Sequence, residues 1–345
     1  MENRVSYNRN LIIFLYIVVV VFIAVNMIKL IDMQSINFSV LENFSVIFIS
    51  IVLEATPFIL LGALVSALIQ VFISEETIAK IIPKNKVLGF VAASLMGFIF
   101  PVCECAIIPI AKRLIKKGLP LGFGVTFMLA VPIVNPVVLL STYYAFYDKP
   151  SVVLMRGGFG ILAAITVGVL ISIVEEGNSS PLKNKDYSLN SGCYCGCDSN
   201  NGLYKYQSKF RVILDHTTKE FLSISKYLIL GAFISGIFQT LISRSLISSV
   251  GNKPIASIAV MMMLAFTLSI CSEADAFIAS SFMSQFTIGS ILGFLLLGPM
   301  LDIKNAFMIF GNFKGKVAAK FIIYIVLVIF VITSYTNVMS LLGVI

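Results

Sequence analysis

Residues 97–113 read GFIFPVCECAIIPIAKR, a carboxylate between two thiols inside an apolar run, with Pro101 and Pro109 on either side. A charged side chain at the centre of a membrane helix costs about 2.5–3.5 kcal/mol on insertion scales, so it is seldom kept there without a task. Neither proline donates an intrahelical hydrogen bond, and the segment is expected to break at this motif. Irregular backbone at membrane depth is tolerated only where it is buried in protein or lines a water-filled cavity. The stretch therefore predicts an interior-facing site at an interrupted helix.

Its surroundings make the membrane the solvent. Of 345 residues, 58% are hydrophobic and 12% charged, more apolar surface than a water-soluble domain can hide. Runs long enough to span a hydrocarbon core, which takes about 20 residues of helix, occupy 11–31, 45–73, 87–111, 119–146, 152–174, 220–247, 255–283, 287–310 and 317–344. The expected fold class is an all-α polytopic membrane protein of about nine transmembrane segments, placed in the cell membrane. The run at 11–31 is too long for a signal h-region and lacks a small-residue cleavage site, so it reads as a retained helix. The net charge of +8 lies largely between the apolar runs and suits contact with anionic lipid headgroups rather than nucleic acid. In a nine-helix count Lys112, Arg113, Lys116, Lys117 and the loop 175–219 share one face, cytoplasmic by the positive-inside rule. Arg4, Arg9, Lys80, Lys84, Lys86, Lys314, Lys316 and Lys320 then fall on the other, and re-entrant hairpins would change that parity.

The chain also repeats itself. LGALVSALIQVFIS (Leu61–Ser74) and LGAFISGIFQTLIS (Leu230–Ser243) agree at seven of fourteen positions at an offset of 169. The same offset sets Glu104 on Glu273, and after a two-residue deletion Gly122 falls on Gly289, Pro132 on Pro299 and Asn135 on Asp302. Two homologous halves follow: residues 45–174 and 220–345, joined by a polar loop at 175–219, with residues 1–44 outside the repeat. Internal duplication with a binding site near the midplane is a common build of secondary transporters. An even number of crossings per half gives parallel repeats and an odd number inverted ones.

The second copy of the motif, SICSEADAFIASSF, puts Cys271, Glu273 and Asp275 inside the seventh run. Breaks recur at AVPIVNPVV, through Pro132, Asn135 and Pro136, and at GPMLDIKN, through Gly298, Pro299, Asp302 and Lys304. A proline followed three residues later by an amide or carboxylate, in both halves, predicts a polar cavity lined by interrupted helices. Glu54 is a further intramembrane carboxylate without a counterpart, since the offset lands on Ser223.

The six cysteines form a membrane set, Cys103, Cys105 and Cys271, and a loop set, Cys193, Cys195 and Cys197 in SGCYCGCDS. Thiolates select soft partners such as Cu(I), Zn(II) or, by the same logic, trivalent arsenic. The loop set reads as metal-binding, with His216, the only histidine, as a conceivable fourth ligand. No Gly-x-x-x-x-Gly-Lys-Ser/Thr phosphate cradle is present, so energy comes from an ion gradient, from the cargo's own gradient or from another subunit. No resident cofactor is expected; the partners are lipid, a small molecule or ion, and a possible further subunit.

The paired motifs PVCECAIIPIAKRLIKKGLPLGFGVTFMLAVPIVNP and CSEADAFIASSFMSQFTIGSILGFLLLGPMLDIKN resemble those of a bacterial family of two-half predicted permeases, which includes organoarsenical efflux permeases and members assigned to copper or zinc efflux. The likeness covers residues 45–345. Cys103, Glu104, Cys105, Pro132, Asn135 and Pro136 match its first-half pattern; Cys271, Glu273, Asp275, Gly298, Pro299 and Asp302 match its second. The resemblance implies multi-pass export, with thiols recognising cargo among the arsenical exporters. The CYCGC loop is similar to cysteine-bearing loops of the metal exporters, but the histidines common there are missing.

The leading expectation is a permease, not an enzyme, that exports a small thiophilic toxicant and is driven by an ion gradient. A trivalent organoarsenical is the first choice of cargo. Two alternatives remain open at this point: a membrane thiol oxidoreductase relaying electrons through Cys103, Cys105 and Cys271, and a permease for an ordinary metabolite in which those cysteines only pack.

Overall fold

In hydrocarbon every backbone N–H and C=O has to be satisfied within the protein, and helix does this inside a single segment. The computed structural model describes residues 38–72, 83, 85–98, 102–175, 182, 209–241 and 254–341. These hold twelve α-helices and, instead of strands, one antiparallel bridge between Leu182 and Phe313. The run 11–31, Pro101, Arg4, Arg9, Lys80, Lys84 and the loop thiols Cys193, Cys195 and Cys197 lie outside the described residues. Two compact units are distinguished, Met1–Val46 and Ile47–Ile345, and the described part of the first is the start of helix α1.

The helices are α1 (Phe38–Phe72), α2 (Lys86–Leu95, continued by a 3-10 turn at Met96–Phe98), α3 (Glu104–Lys116), α4 (Leu121–Val134), α5 (Pro136–Ala145), α6 (Ser151–Val174), α7 (Lys209–Leu241), α8 (Pro254–Leu268), α9 (Asp275–Ser281), α10 (Ile288–Met300), α11 (Ile303–Asn312) and α12 (Gly315–Leu341). Five spans are long and apolar enough to cross a membrane: α1, α6, α7, α12 and the α10–α11 pair. The α4–α5 pair, bent by 40° at Asn135, makes a sixth.

Close contacts fix the helix directions. The α2 helix lies parallel to α4, with Gly89 against Phe123 and Gly97 against Val131 and Val134. Antiparallel packing joins α4 to α6 through Gly122 on Gly168 and Ser172, and through Gly160 on Ile133. Because α4 starts only a few residues after α3 ends, α3 returns to the end of the bundle from which α2 set out. Equivalent contacts occur later in the chain. Ser257 on α8 meets Ser290 on α10 at 2.7 Å, and Gly293 on α10 lies beside Ile258 and Met262. The Gly289 amide donates to Asn337 Oδ1 on antiparallel α12 at 3.0 Å. The runs 87–111 and 255–283, each expected to be a single crossing, are thus hairpins, α2–α3 and α8–α9, and this lowers the number of straight spans.

The hairpins also correct the distribution of charge. Lys112 donates to Asn312 Oδ1 at 2.8 Å, Arg113 pairs with Glu220 at 2.6 Å, Lys117 donates to the Gln70 carbonyl at 2.9 Å, and Lys320 pairs with Glu175 at 2.7 Å. One end of the bundle therefore gathers the last turns of α1, α3, α6 and α11 with the N-terminal halves of α7 and α12. Lys320 and its neighbours Lys314 and Lys316 belong on the face of Lys112–Lys117, not on the opposite one. Lys86, at the start of α2, joins them.

Both inner breaks are built by caps. The Asn135 side chain accepts from the Val137 amide at 3.0 Å with Pro136 at the first helical position of α5, and Asp302 accepts from the Asn305 amide at 2.6 Å at the start of α11. Pro132 and Pro299 lie in the final turns of α4 and α10, where each helix stops.

Glycine sets the closeness of the α4–α6 crossing. A Cβ on Gly168 would strike Thr126 Oγ1 and come within 2.8 Å of the Gly122 carbonyl oxygen, whereas one on Gly158 would meet nothing within 4 Å. Overpacking typically costs about 1–3 kcal/mol, and alanine gains about 1 kcal/mol over glycine in a helix interior. Gly168→Ala is expected to lower the melting temperature of the protein in detergent, and Gly158→Ala to leave it unchanged or raised. Equal shifts would mean that the crossing is not close-packed.

Candidate functional site

The stretches around Glu104 and Glu273 meet inside the bundle. Cys103 caps α3 with extended backbone, φ −73° and ψ 167°, and its carbonyl accepts from the Ala106 and Ile107 amides. This leaves Glu104 as the first residue of the helix, 2% exposed. Its Oε2 accepts a hydrogen bond from Ser272 Oγ at 3.3 Å. Ser272 belongs to the irregular link between α8 and α9, where Ser269 takes a left-handed φ of 48° and the Ala274 and Asp275 amides both donate to the Cys271 carbonyl. Glu273 follows at once, half-buried and within electrostatic reach of Glu104.

Three thiols adjoin Glu104 and Ser272 in sequence, Cys103 and Cys105 beside Glu104 and Cys271 beside Ser272, and all are buried and free. The Cys103 and Cys105 side chains are neighbours, and Glu54 on α1 is within electrostatic reach of Cys271. The ammonium group of Lys304 lies within electrostatic reach of Asp302, Cys105, Glu104 and Cys271. Lys304 is 2% exposed and pairs with Asp302 at 3.4 Å. A small pocket with room for about one water-sized body opens beside Glu104; Asn305 and Pro299 line it together with Ile107, Met128 and Ile309. Pro132 and Asn135 are buried at the α4–α5 break, and no hydrogen bond among the described residues ties them to Glu104.

A second buried pair joins α6 to the α8–α9 hairpin. Arg156, with no exposed surface, donates to Asp275 Oδ2 at 2.7 Å, to Thr142 Oγ1 on α5 at 2.7 Å and to the Ser272 carbonyl at 3.3 Å. Asp275 was legible as a polar residue in a membrane run, but its partner was not singled out. The signal existed: Arg156 is the single charge within SVVLMRGGFGILAAITVGVLISIV, and an intramembrane ionisable residue is by default functional or paired. Among the described residues no group of three or more His, Cys, Asp or Glu side chains is arranged to hold a metal ion.

Interrupted helices meeting over buried ionisable groups in a multi-pass helical bundle are the architecture of membrane permeases. The chain belongs to the ArsP_1 family, described as "Predicted permease", which it matches over residues 40–338. It is 46% identical over 283 residues to the UPF0718 protein YcgR of Bacillus subtilis (strain 168), covering 82% of this chain and 93% of that protein. It is 38% identical over 281 residues to a Streptococcus mutans protein whose name includes "two-component membrane permease complex subunit", covering 80% of this chain and 89% of the relative. A shorter match, 27% over 121 residues, links it to the UPF0718 protein MJ0584 of Methanocaldococcus jannaschii, over 32% of this chain and 33% of that one. No solved structure matches it. The family and the helices make the protein a multi-pass membrane permease.

Proposed function

We propose that the protein is a cell-membrane efflux permease that captures a small thiophilic toxicant, a trivalent organoarsenical first among them, and is driven by an ion gradient. The observation that carries this reading is that two buried, free thiols drawn from hairpins far apart in sequence, Cys105 and Cys271, both lie within electrostatic reach of Lys304 and Glu104, with Cys103 beside Cys105. Buried, reduced sulfur suits a soft acceptor. The relative named as part of a two-component permease complex suggests a second subunit as partner. Loop thiols Cys193, Cys195 and Cys197 would handle the same soft cargo at the face where α6 ends and α7 begins.

Two halves of inverted topology underlie the proposed route. Each would comprise a long span, a hairpin, a broken span and a further span: α1, α2–α3, α4–α5 and α6, then α7, α8–α9, α10–α11 and α12. Three crossings per half is odd, and odd repeats are inverted. In support, the C-terminal ends of α1 and α6 lie at the same end of the bundle as the N-terminal halves of α7 and α12. The hairpins would enter from opposite faces, and rocking of one half on the other would expose the thiols to each face in turn.

Uptake by a sensitive bacterial strain tests the reading. Expression is expected to lower accumulation of methylarsenite, with Zn(II) and Cu(I) as comparison cargoes. Accumulation unchanged for all three would sink it.

A further inference from the structure

Buried charge in a membrane protein has to cancel, because an isolated ion in low dielectric costs many kcal/mol. Among the described residues, the fully buried ionisable side chains other than thiols are Glu104, Asp275, Asp302, Arg156 and Lys304. Asp275 pairs with Arg156 and Asp302 with Lys304. Glu104 is left as the acid without a base of its own in ion-pair contact. Its Oε2 has the Ser272 hydroxyl, but Oε1 has no hydrogen-bond partner.

The unmatched oxygen has company. Asn305 Oδ1 is also buried without a partner, and Glu104 and Asn305 line the same small pocket, which has room for about one water-sized body. Pro299 and Met300, the last residues of α10, form another wall. There α10 passes into extended backbone at Leu301 (φ −153°, ψ 109°), so its final carbonyls leave the helical ladder and the negative end of its dipole faces the pocket region. Two orphaned oxygens, a missing single positive charge and a half-helix C-terminus converge on one body-sized space. Unwound carbonyls and half-helix C-termini are the groups that coordinate sodium in other transporter architectures.

We propose that this pocket binds one sodium ion through Glu104 Oε1, Asn305 Oδ1 and carbonyl oxygen at the end of α10. The count of fully buried charges points to a monovalent ion: among those groups one positive charge neutralises Glu104. All-oxygen ligation selects a hard cation, and no cysteine lines this pocket, so the site differs in chemistry from the thiols, which select soft cargo. The assignment deepens the ion-driven part of the export reading and rests on it for the ion's task, though not for its binding.

The test is the melting temperature of the intact, cargo-free protein purified in detergent, titrated with NaCl against KCl and choline chloride at constant ionic strength. A ligand that binds only the folded state raises stability as its concentration passes its dissociation constant. Sodium is expected to give a saturable rise absent with potassium or choline. Asn305→Leu is expected to move half-saturation to higher sodium, and Glu104→Gln, which keeps the shape and removes the charge, to abolish the rise. Identical melting in all three salts overturns the proposal. So does a pH-dependent shift at Glu104 that ignores sodium, since the single charge would then be a proton. Because no toxicant is present, failure of export leaves this result standing, and absence of a sodium effect leaves export by another coupling ion intact.

Discussion

Arg156→Met is expected to cost about 3–5 kcal/mol of stability, the range seen when one member of a buried ion pair is removed and the other is left charged in low dielectric. The guanidinium has no exposed surface, bonds Asp275 at 2.7 Å and also serves Thr142 and the Ser272 carbonyl. Its loss therefore strands a carboxylate and a main-chain acceptor together. Replacing both partners, Arg156→Met with Asp275→Leu, is expected to recover much of the loss, because well-packed apolar groups often match or exceed a buried pair. Thermal denaturation in detergent of the two single variants and the double variant gives the coupling directly. If the single variants melt like the parent, the pair is not desolvated as the structure shows. The pair ties α6 to the α8–α9 hairpin, so it has a second consequence for the proposed rocking. In a double variant that folds normally, transport that has slowed would identify the pair as a contact made and broken in the cycle. Unchanged transport would leave it a structural tie.

What the sequence disclosed, and what it withheld, follows from which interactions are local. Composition alone required a membrane, because the fraction of apolar residues leaves no other solvent for the chain. The breaks at Asn135 and Asp302 were readable since caps are local: proline, amide or carboxylate, then a new helix within a few residues. The hairpins were not readable. A run such as 87–111 has the length and hydropathy of a span, and only its packing, with α2 parallel to α4 and α3 returning alongside α1, shows that it turns back. From that one ambiguity came the misplacement of Lys86, Lys314, Lys316 and Lys320.

Pairing was hidden for the same reason. Glu104 and Glu273 could be aligned by the repeat, yet the hydrogen bond falls on Ser272, the residue before the aligned glutamate. Arg156 and Asp275 lie 119 residues apart and have no repeat relation to suggest them. Lys304 stood within the quoted GPMLDIKN stretch, but its place among Asp302, Glu104 and two thiols depends on α11 folding back beside α3 and α7.

Replacing Cys103, Cys105 and Cys271 together with alanine is expected to abolish export of a soft toxicant, while each single replacement lowers it by about tenfold or more, a factor worth about 1.4 kcal/mol of cargo binding. Alanine is chosen over serine because a buried hydroxyl brings a desolvation cost of its own, and these thiols are nearly inaccessible. Loss of packing is separated from loss of ligation by the melting temperature: ligation predicts stable variants that do not transport. The geometry also orders the singles. Cys105 and Cys271 both lie within electrostatic reach of Lys304, on different hairpins, so each is expected to weaken export more than Cys103, whose main-chain carbonyl caps α3 in any case. Two results would redirect the reading. Full transport by the triple variant makes the thiols packing residues in a permease for some other solute. A disulfide linking Cys271 to Cys105 that forms and is reduced with the cell's reductants, detected by thiol trapping, assigns the cluster to electron relay, since capture of a toxicant by reduced sulfur needs no such cycle.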